Sequence, residues 1–312
     1  MMRTGQTKVA VKRKQAHQRR QTSSPAVHLD CAAAFQRIAL ECAAKIKAHH
    51  SSACAGDVEA VHQIRVAITR LRAAVAFFAP MTVDQEWLRL RKEIAWLNVS
   101  LGAARDTDVV VEYARRKQYR AWAETIAGQH LDEQQMRDHR RLVRCLRSIR
   151  FRRLIEEVSG WIARGPWLAR WERDNGRKPA EPLTTYSERR LDRWRKRLIR
   201  RGRHLATMKS SRRHRLRIRA KRYRYMLEAL KGIVPLSDHG EFRRMHRPAK
   251  HLQRMLGDLR DLERFSRLGA ISPPPEDGKQ GDDRPQGYRR QKKKLLTAAV
   301  AAYRSLKQAD AR

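Results

Sequence analysis

The chain has 312 residues, with 71 Lys and Arg against 32 Asp and Glu, a formal net charge of +39 at pH 7 and 41% hydrophobic composition. That apolar share is enough to fill one large core or two modest ones, which excludes a wholly disordered basic chain and makes the charge a property of a folded surface. Such a charge opposes compaction by self-repulsion and selects polyanionic partners: nucleic acid, acidic membrane or phosphate polymer.

Residues 1–25 contain Lys8, Lys12, Arg13, Lys14, Arg19 and Arg20 and no acid, a composition that predicts a disordered basic arm. From 27 to about 50 the spacing of Ala34, Ile38, Cys42 and Ile46 predicts a helix, with Lys45, Lys47, His49 and His50 in its last turn and a break over 51–56. Asp57 is the expected N-cap of a second helix that runs to Phe78 and stops at Ala79-Pro80. Asp84 caps a third, in which Trp87, Leu90, Ile94, Leu97 and Leu101 keep the helical period. Gly102 is placed to end that helix, and Asp106 or Asp108 to cap a fourth containing Val109, Val110, Val111 and Tyr113. One long amphipathic helix is expected over 131–163.

Residues 166–182 are rich in turn pairs, Asn175-Gly176, Lys178-Pro179 and Glu181-Pro182 among them, and read as a linker. Beyond it lie an extremely basic helix over 183–208, a second over 212–233 stopped near Pro235, and a third over 238–256 ended before Gly257. Pro248 is expected to break the third. A Pro- and Gly-rich flexible insertion over 270–288 and a helix over 289–309 complete the chain. The expected division is therefore the basic arm, a first half over 26–165, the linker, and a second half over 183–312.

The two halves share landmarks in the same order. Val61-His62-Gln63-Ile64-Arg65 with Arg70-Leu71-Arg72 returns as Arg213-His214-Arg215-Leu216-Arg217 with Arg222-Tyr223-Arg224, and Leu101-Gly102-Ala103-Ala104-Arg105-Asp106 returns as Leu256-Gly257-Asp258-Leu259-Arg260-Asp261. With no alternating strand pattern, the fold class is all-α: two pseudo-symmetric helical bundles, each a duplicated four-helix-bundle-like half.

On a helix, Ile64, Ile68, Leu71, Val75 and Phe78 form one apolar stripe, and His62, Arg65, Thr69 and Arg72 an adjacent one. In the second copy Leu216, Ala220, Tyr223, Leu227 and Leu230 are apolar, beside His214, Arg217, Lys221 and Arg224. A solvated helix face interleaves acids with bases. These stripes do not, so an external anion is the expected compensation.

These residues resemble the CHAD (conserved histidine α-helical domain) family. The likeness rests on the two histidine segments quoted above and on Leu101-Gly102-Ala103-Ala104-Arg105-Asp106-Thr107-Asp108-Val109 with Leu256-Gly257, and it covers roughly residues 27–268 with the last helix. It implies a two-fold pseudosymmetric helical fold whose basic surface and channel bind inorganic polyphosphate and bring the protein to polyphosphate granules. Thr69 departs from the family's usual base, where the second half has Lys221. The Glu-x-Glu-x-Lys signature of a partner tunnel domain is missing, which removes the simplest route to triphosphate hydrolysis.

Polyphosphate has no bases to stack on and no edges to read, so a receptor for it needs guanidinium forks, ammonium groups and imidazole donors. The candidate binding residues are His62, Arg65, Arg72, Arg105, His214, Arg217, Lys221, Arg224 and Arg260, with Arg70, Arg222 and Arg197 second. Arg105 and Arg260 have an alternative, pairing with Asp106 and Asp261 at a helix start. If the histidines gain protons beside phosphate, binding is expected to be tighter below about pH 6.5.

Competing readings are an RNA- or DNA-binding protein, a phosphoanhydride-processing enzyme, and a metal-binding protein using the repeated histidines. An aromatic content of 6% argues against base stacking. No metal-ligand spacing, nucleophile arrangement or phosphate-cradling glycine loop stands out, so the residues suggest a binder with no catalytic residue, cofactor or metal. The 4 cysteines show no C-x-x-C spacing, no apolar run reaches the roughly 20 residues of a membrane span, and no signal-peptide stretch opens the chain. A cytoplasmic protein without a membrane partner is the expectation.

Overall fold

The computed structural model describes residues 29–116, 126–175, 181–234, 239–269 and 287–309, and these are helical with no strand. The expected arm over 1–25 and residues 270–286 of the expected insertion lie outside the described residues.

Helix α1, Cys31–Cys54, is capped by Asp30, whose carboxylate accepts from the Ala33 amide at 2.7 Å, and it buries Phe35, Ile38, Cys42 and Ile46. It runs through the expected break to Cys54. The stop comes at Gly56, whose φ of +93° lies in the left-handed region that side chains avoid, while its amide bonds back to the Ala53 carbonyl at 3.2 Å. Asp57 caps α2, Val58–Phe77, accepting from the Glu59 and Ala60 amides at 2.8 and 3.3 Å. After a short turn of helix, α3 (Ala79–Thr82), Asp84 caps α4, Gln85–Ala114, through the Trp87 amide at 2.7 Å.

Other expectations about boundaries are corrected too. Gly102 does not end a helix and neither Asp106 nor Asp108 starts one, because α4 continues unbroken beneath Leu101, Ala104, Val109 and Val110, all buried. The packed stripe outweighs the roughly 1 kcal/mol that an interior glycine costs. The single helix expected over 131–163 is two, α5 (Ile126–Arg147) and α6 (Ile149–Arg164), divided where the Ser148 hydroxyl accepts from the Phe151 amide at 3.1 Å. Part of the expected linker is helix α7, Pro166–Asn175, anchored by buried Trp167, whose indole donates to the Trp161 carbonyl at 2.8 Å. Pro248 lies inside α10, His239–Gly269, without ending it, since Met245, Ala249, Leu252, Leu256 and Leu259 form one buried stripe across it.

The remaining helices are α8 (Leu183–Gly202), followed by a 3₁₀ turn over Leu205–Thr207, then α9 (Ser210–Lys231) and α11 (Tyr288–Gln308). Helices α1, α2, α4, α5 and α6 pack among themselves, and α8 to α11 do likewise. The two sets join where α2 packs on α9 and α4 on α10. The apolar core runs without interruption from Phe35 and Ile64 through Leu216 and Leu256 to Leu306, so both sets share it. A second, smaller cluster of Val109, Val110, Tyr113, Leu262, Phe265 and Tyr288 fastens the far ends of α4 and α10. Among the described residues no helix is long and apolar enough to cross a membrane, and the four cysteines are free.

Candidate polyanion site

The joint between the two sets is also where the basic stripes meet. Arg65 on α2 reaches across to α4 and donates through Nη1 to the Leu101 carbonyl at 2.7 Å. Burial pushes its pKa down to about 10, with Arg105, Arg264 and Arg217 pressing the same way and Asp106 opposing them. Lys221 on α9 is pushed down to about 7 by burial and by Arg217, Arg65, Arg224 and Arg70. His214 is pushed to about 4 by burial and by Arg260, Arg217, Arg264 and Arg215. Burial also holds His62 below the usual imidazole value, against Glu59, with Arg105, Lys221 and Arg65 adding to the depression. Arg260 is lowered by burial and by Arg264.

Each of these groups therefore raises the cost of charging the next, and they form one corner. His62, Arg65, Arg105, His214, Arg217, Lys221 and Arg260 are brought together there from α2, α4, α9 and α10. Arg72, Arg224 and the second-rank Arg70 and Arg222 lie further along the α2–α9 contact. Arg197 is exposed on α8, where its charge bears on Arg190.

The acids do not neutralise the corner. Asp106 pairs with Arg264 rather than with its neighbour Arg105, and burial raises the Asp261 and Asp258 carboxyls despite Arg217 beside both. Among the described residues neither Arg105 nor Arg260 is in an ion pair with the aspartate that follows it, so the cap-fixing alternative does not hold. The buried Nε of Arg217 and Nδ1 of His214 have no hydrogen-bond partner. Leaving such groups unsatisfied costs about 1–3 kcal/mol each.

Deeper carboxylates hold the frame. Asp108 lies 2.7 Å from His139 Nε2 and accepts from Gln135 at 2.9 Å, tying α4 to α5. Glu263 of α10 takes both Arg213 and the Ser210 hydroxyl of α9.

Gly257, expected as a helix end, has a different role. A Cβ built there would stand 3.3 Å from Arg217 Nε and 3.6 Å from its Nη2. The bare backbone of α10 is what lets that guanidinium lie across it. At Gly102 nothing stands within 4 Å of such a Cβ. Both Gly102→Ala and Gly257→Ala should therefore stabilise the helix by up to about 1 kcal/mol. Only Gly257→Ala should also displace the Arg217 guanidinium, by a few tenths of an ångström; paired melting curves and a structure of each variant check this.

The sequence profile of the CHAD domain matches residues 37–268, well over half of the chain. The chain belongs to the CHAD family. Its fold is similar to the crystal structure of the CHAD domain from the plant Ricinus communis, with a TM-score of 0.66 and 22% identity over 90% of this chain and 95% of that one. It is also similar to PptA from Streptomyces chartreusis, with a TM-score of 0.59 and 17% identity over 90% of this chain and 98% of that one. Among curated proteins none matches the sequence. At such identities the structural likeness concerns the CHAD fold alone.

The sequence reading missed Arg264, which acts on Arg65, His214 and Arg260 and holds Asp106 across the joint. Its signal was present, one helical turn after Arg260, and was hidden by ending the helix at Gly257. Arg91 and Arg219 were missed too; each bears on an arginine of the α2–α9 contact.

Proposed function

We propose that this CHAD protein binds inorganic polyphosphate at the α2–α9 corner, without processing it, and that this binding places the protein at polyphosphate granules. The observation that carries the reading is a half-buried group of Arg, Lys and His side chains, of which His62, Arg65, His214, Lys221 and Arg260 are held below their usual pKa values by burial and by neighbouring cations, with too few carboxylates among them. A chain of phosphates supplies the missing counter-charge at every unit, and guanidinium forks and imidazole donors suit its oxygens. The family resemblance and the net charge of +39 support the same ligand.

The test is calorimetric titration with long-chain polyphosphate, then competition with RNA. Polyphosphate is expected to displace bound RNA at low molar excess, and RNA to fail to displace polyphosphate. The reverse order makes nucleic acid the partner. Release of free phosphate during the incubation, with or without Mg²⁺, would overturn the binding-only reading.

A further inference from the structure

The basic stripe of α9 ends in an acid. Arg217, Lys221, Arg224 and Glu228 recur at i, i+4, i+7 and i+11, so all four stand on one face of the helix. On the register that sets His62 against His214, Glu228 falls on Ala76, so the stripe of α2 has a methyl group at that place. The half-buried Glu228 carboxylate is shared by three helices. Arg70 Nη2 of α2 lies 3.3 Å from it, Arg224 Nη1 of its own helix 3.2 Å, and His246 Nε2 of α10 2.9 Å.

Glu228 satisfies this cluster only in part. Both arginine contacts are longer than the roughly 2.7–2.9 Å of a tight charge-assisted bond, and the buried Nε of each arginine has no hydrogen-bond partner. Three cations gather on one ring: Arg70, Arg224 and Lys221 lie 5.1, 4.6 and 5.4 Å from the centre of Tyr225. Lys221 belongs to the corner, so the cluster adjoins it. A cavity of about 250 Å³ lies between α1, α2 and α9, lined by Arg70, Tyr225 and Glu228 together with Arg37 and Lys45 of α1. The Glu228 side chain therefore has somewhere to turn, toward other cations.

We propose that Glu228 is a built-in competitor of the polyanion: its carboxylate fills a phosphate place between Arg70 and Arg224, and a bound polyphosphate chain displaces it. The inference rests on the polyphosphate reading and adds the regulation of that site. A carboxylate offers two oxygens on one charge, whereas successive phosphates can reach both guanidinium forks and the donors that Glu228 leaves unused. While the carboxylate is in place the two arginines are closed to the ligand, so the apparent affinity is reduced by the fraction of molecules in which they are open.

The experiment titrates long-chain polyphosphate into the full chain and its variants, with circular dichroism to check that helicity is kept. Glu228→Gln should bind about threefold to tenfold more tightly, the scale of one partly exposed ion pair removed as competitor. Glu157→Gln changes the net charge equally on the surface of α6, where Glu157 pairs with Arg89 at 2.9 Å, and should move the affinity by less than about twofold. Arg70→Gln with Arg224→Gln should weaken binding, and adding Glu228→Gln to that pair should restore less than about twofold, because the place it opens has lost its donors. A merely structural ion pair would leave affinity unchanged or lower it when broken. A gain below about threefold in Glu228→Gln, or an equal gain in Glu157→Gln, overturns the competitor while leaving the corner standing. Failure of both the unaltered protein and Glu228→Gln to bind polyphosphate removes the polyphosphate reading itself, and the competitor with it.

Discussion

Replacing Arg65 and Arg217 together by Gln lowers affinity for long-chain polyphosphate by about a hundredfold or more, since each charge-assisted hydrogen bond contributes about 1.5–3 kcal/mol. The two arginines come from different halves of the chain and meet at the corner, each pressed by cationic neighbours. Removing both takes away two phosphate contacts, so the slope of log affinity against log salt should shrink by about 1.4, on the scale of single-stranded polyanions. The same substitution relieves repulsion between desolvated charges. The anion-free protein should therefore melt no lower than the unaltered one, while the rise in melting temperature on adding polyphosphate largely disappears. Titrations at several salt concentrations, with melting curves in parallel, test all three effects. Undiminished affinity in a folded variant would show that the polymer binds elsewhere.

Much of this arrangement was legible in the sequence because it rests on local chemistry. Asp57 and Asp84 cap the helices they precede, and the apolar stripes beginning at Ile64 and Leu216 are buried as their spacing predicts. Three of the failures share a cause: Gly102, Gly257 and Pro248 are locally weak helix residues, and the packed stripes around them carry the helix through. The site was legible to the same extent. Register placed His62, Arg65, His214, Arg217 and Lys221 beside one another, but it also put Arg72 and Arg224 on the same stripes. Those two arginines have different neighbours: Arg91 and Arg222 bear on Arg72, whereas Arg224 meets Glu228 and the Tyr225 ring. Whether a carboxylate answers a given arginine depends on the packed helices around it, which a single stripe does not encode.

Desolvation was the other hidden quantity, and it changes the expected pH dependence. Binding was expected to tighten below about pH 6.5 through the histidines. With His214 at about 4 and His62 also held below the usual imidazole value, neither takes a proton in the anion-free protein as readily as a free imidazole does. Lys221, at about 7, is the group poised to take up a proton when phosphate arrives. Above pH 7 that proton must come from solvent, so affinity should fall as pH rises, by up to about tenfold per pH unit for one proton.

The same group sets the sign of stability against pH in the absence of anion. Lys221 titrates at about 7 when folded, against 10.5 for a lysine fully exposed to water, so between these values the unfolded chain holds a proton that the folded chain has lost. Stability must then rise with pH across that window, while below 7 both states are protonated and the penalty is constant. The buried Cys31 and Cys42 thiols, pushed up to about 12 from 9.0, work in the opposite direction once the unfolded chain begins to ionise them near pH 9. The clean interval is therefore pH 7 to 8.5, over which the anion-free protein should gain about 3 °C in melting temperature. Lys221→Met should flatten that rise and reduce the pH dependence of polyphosphate affinity. A rise that persists unchanged in Lys221→Met would assign it to another group and leave Lys221 without a part in the coupling.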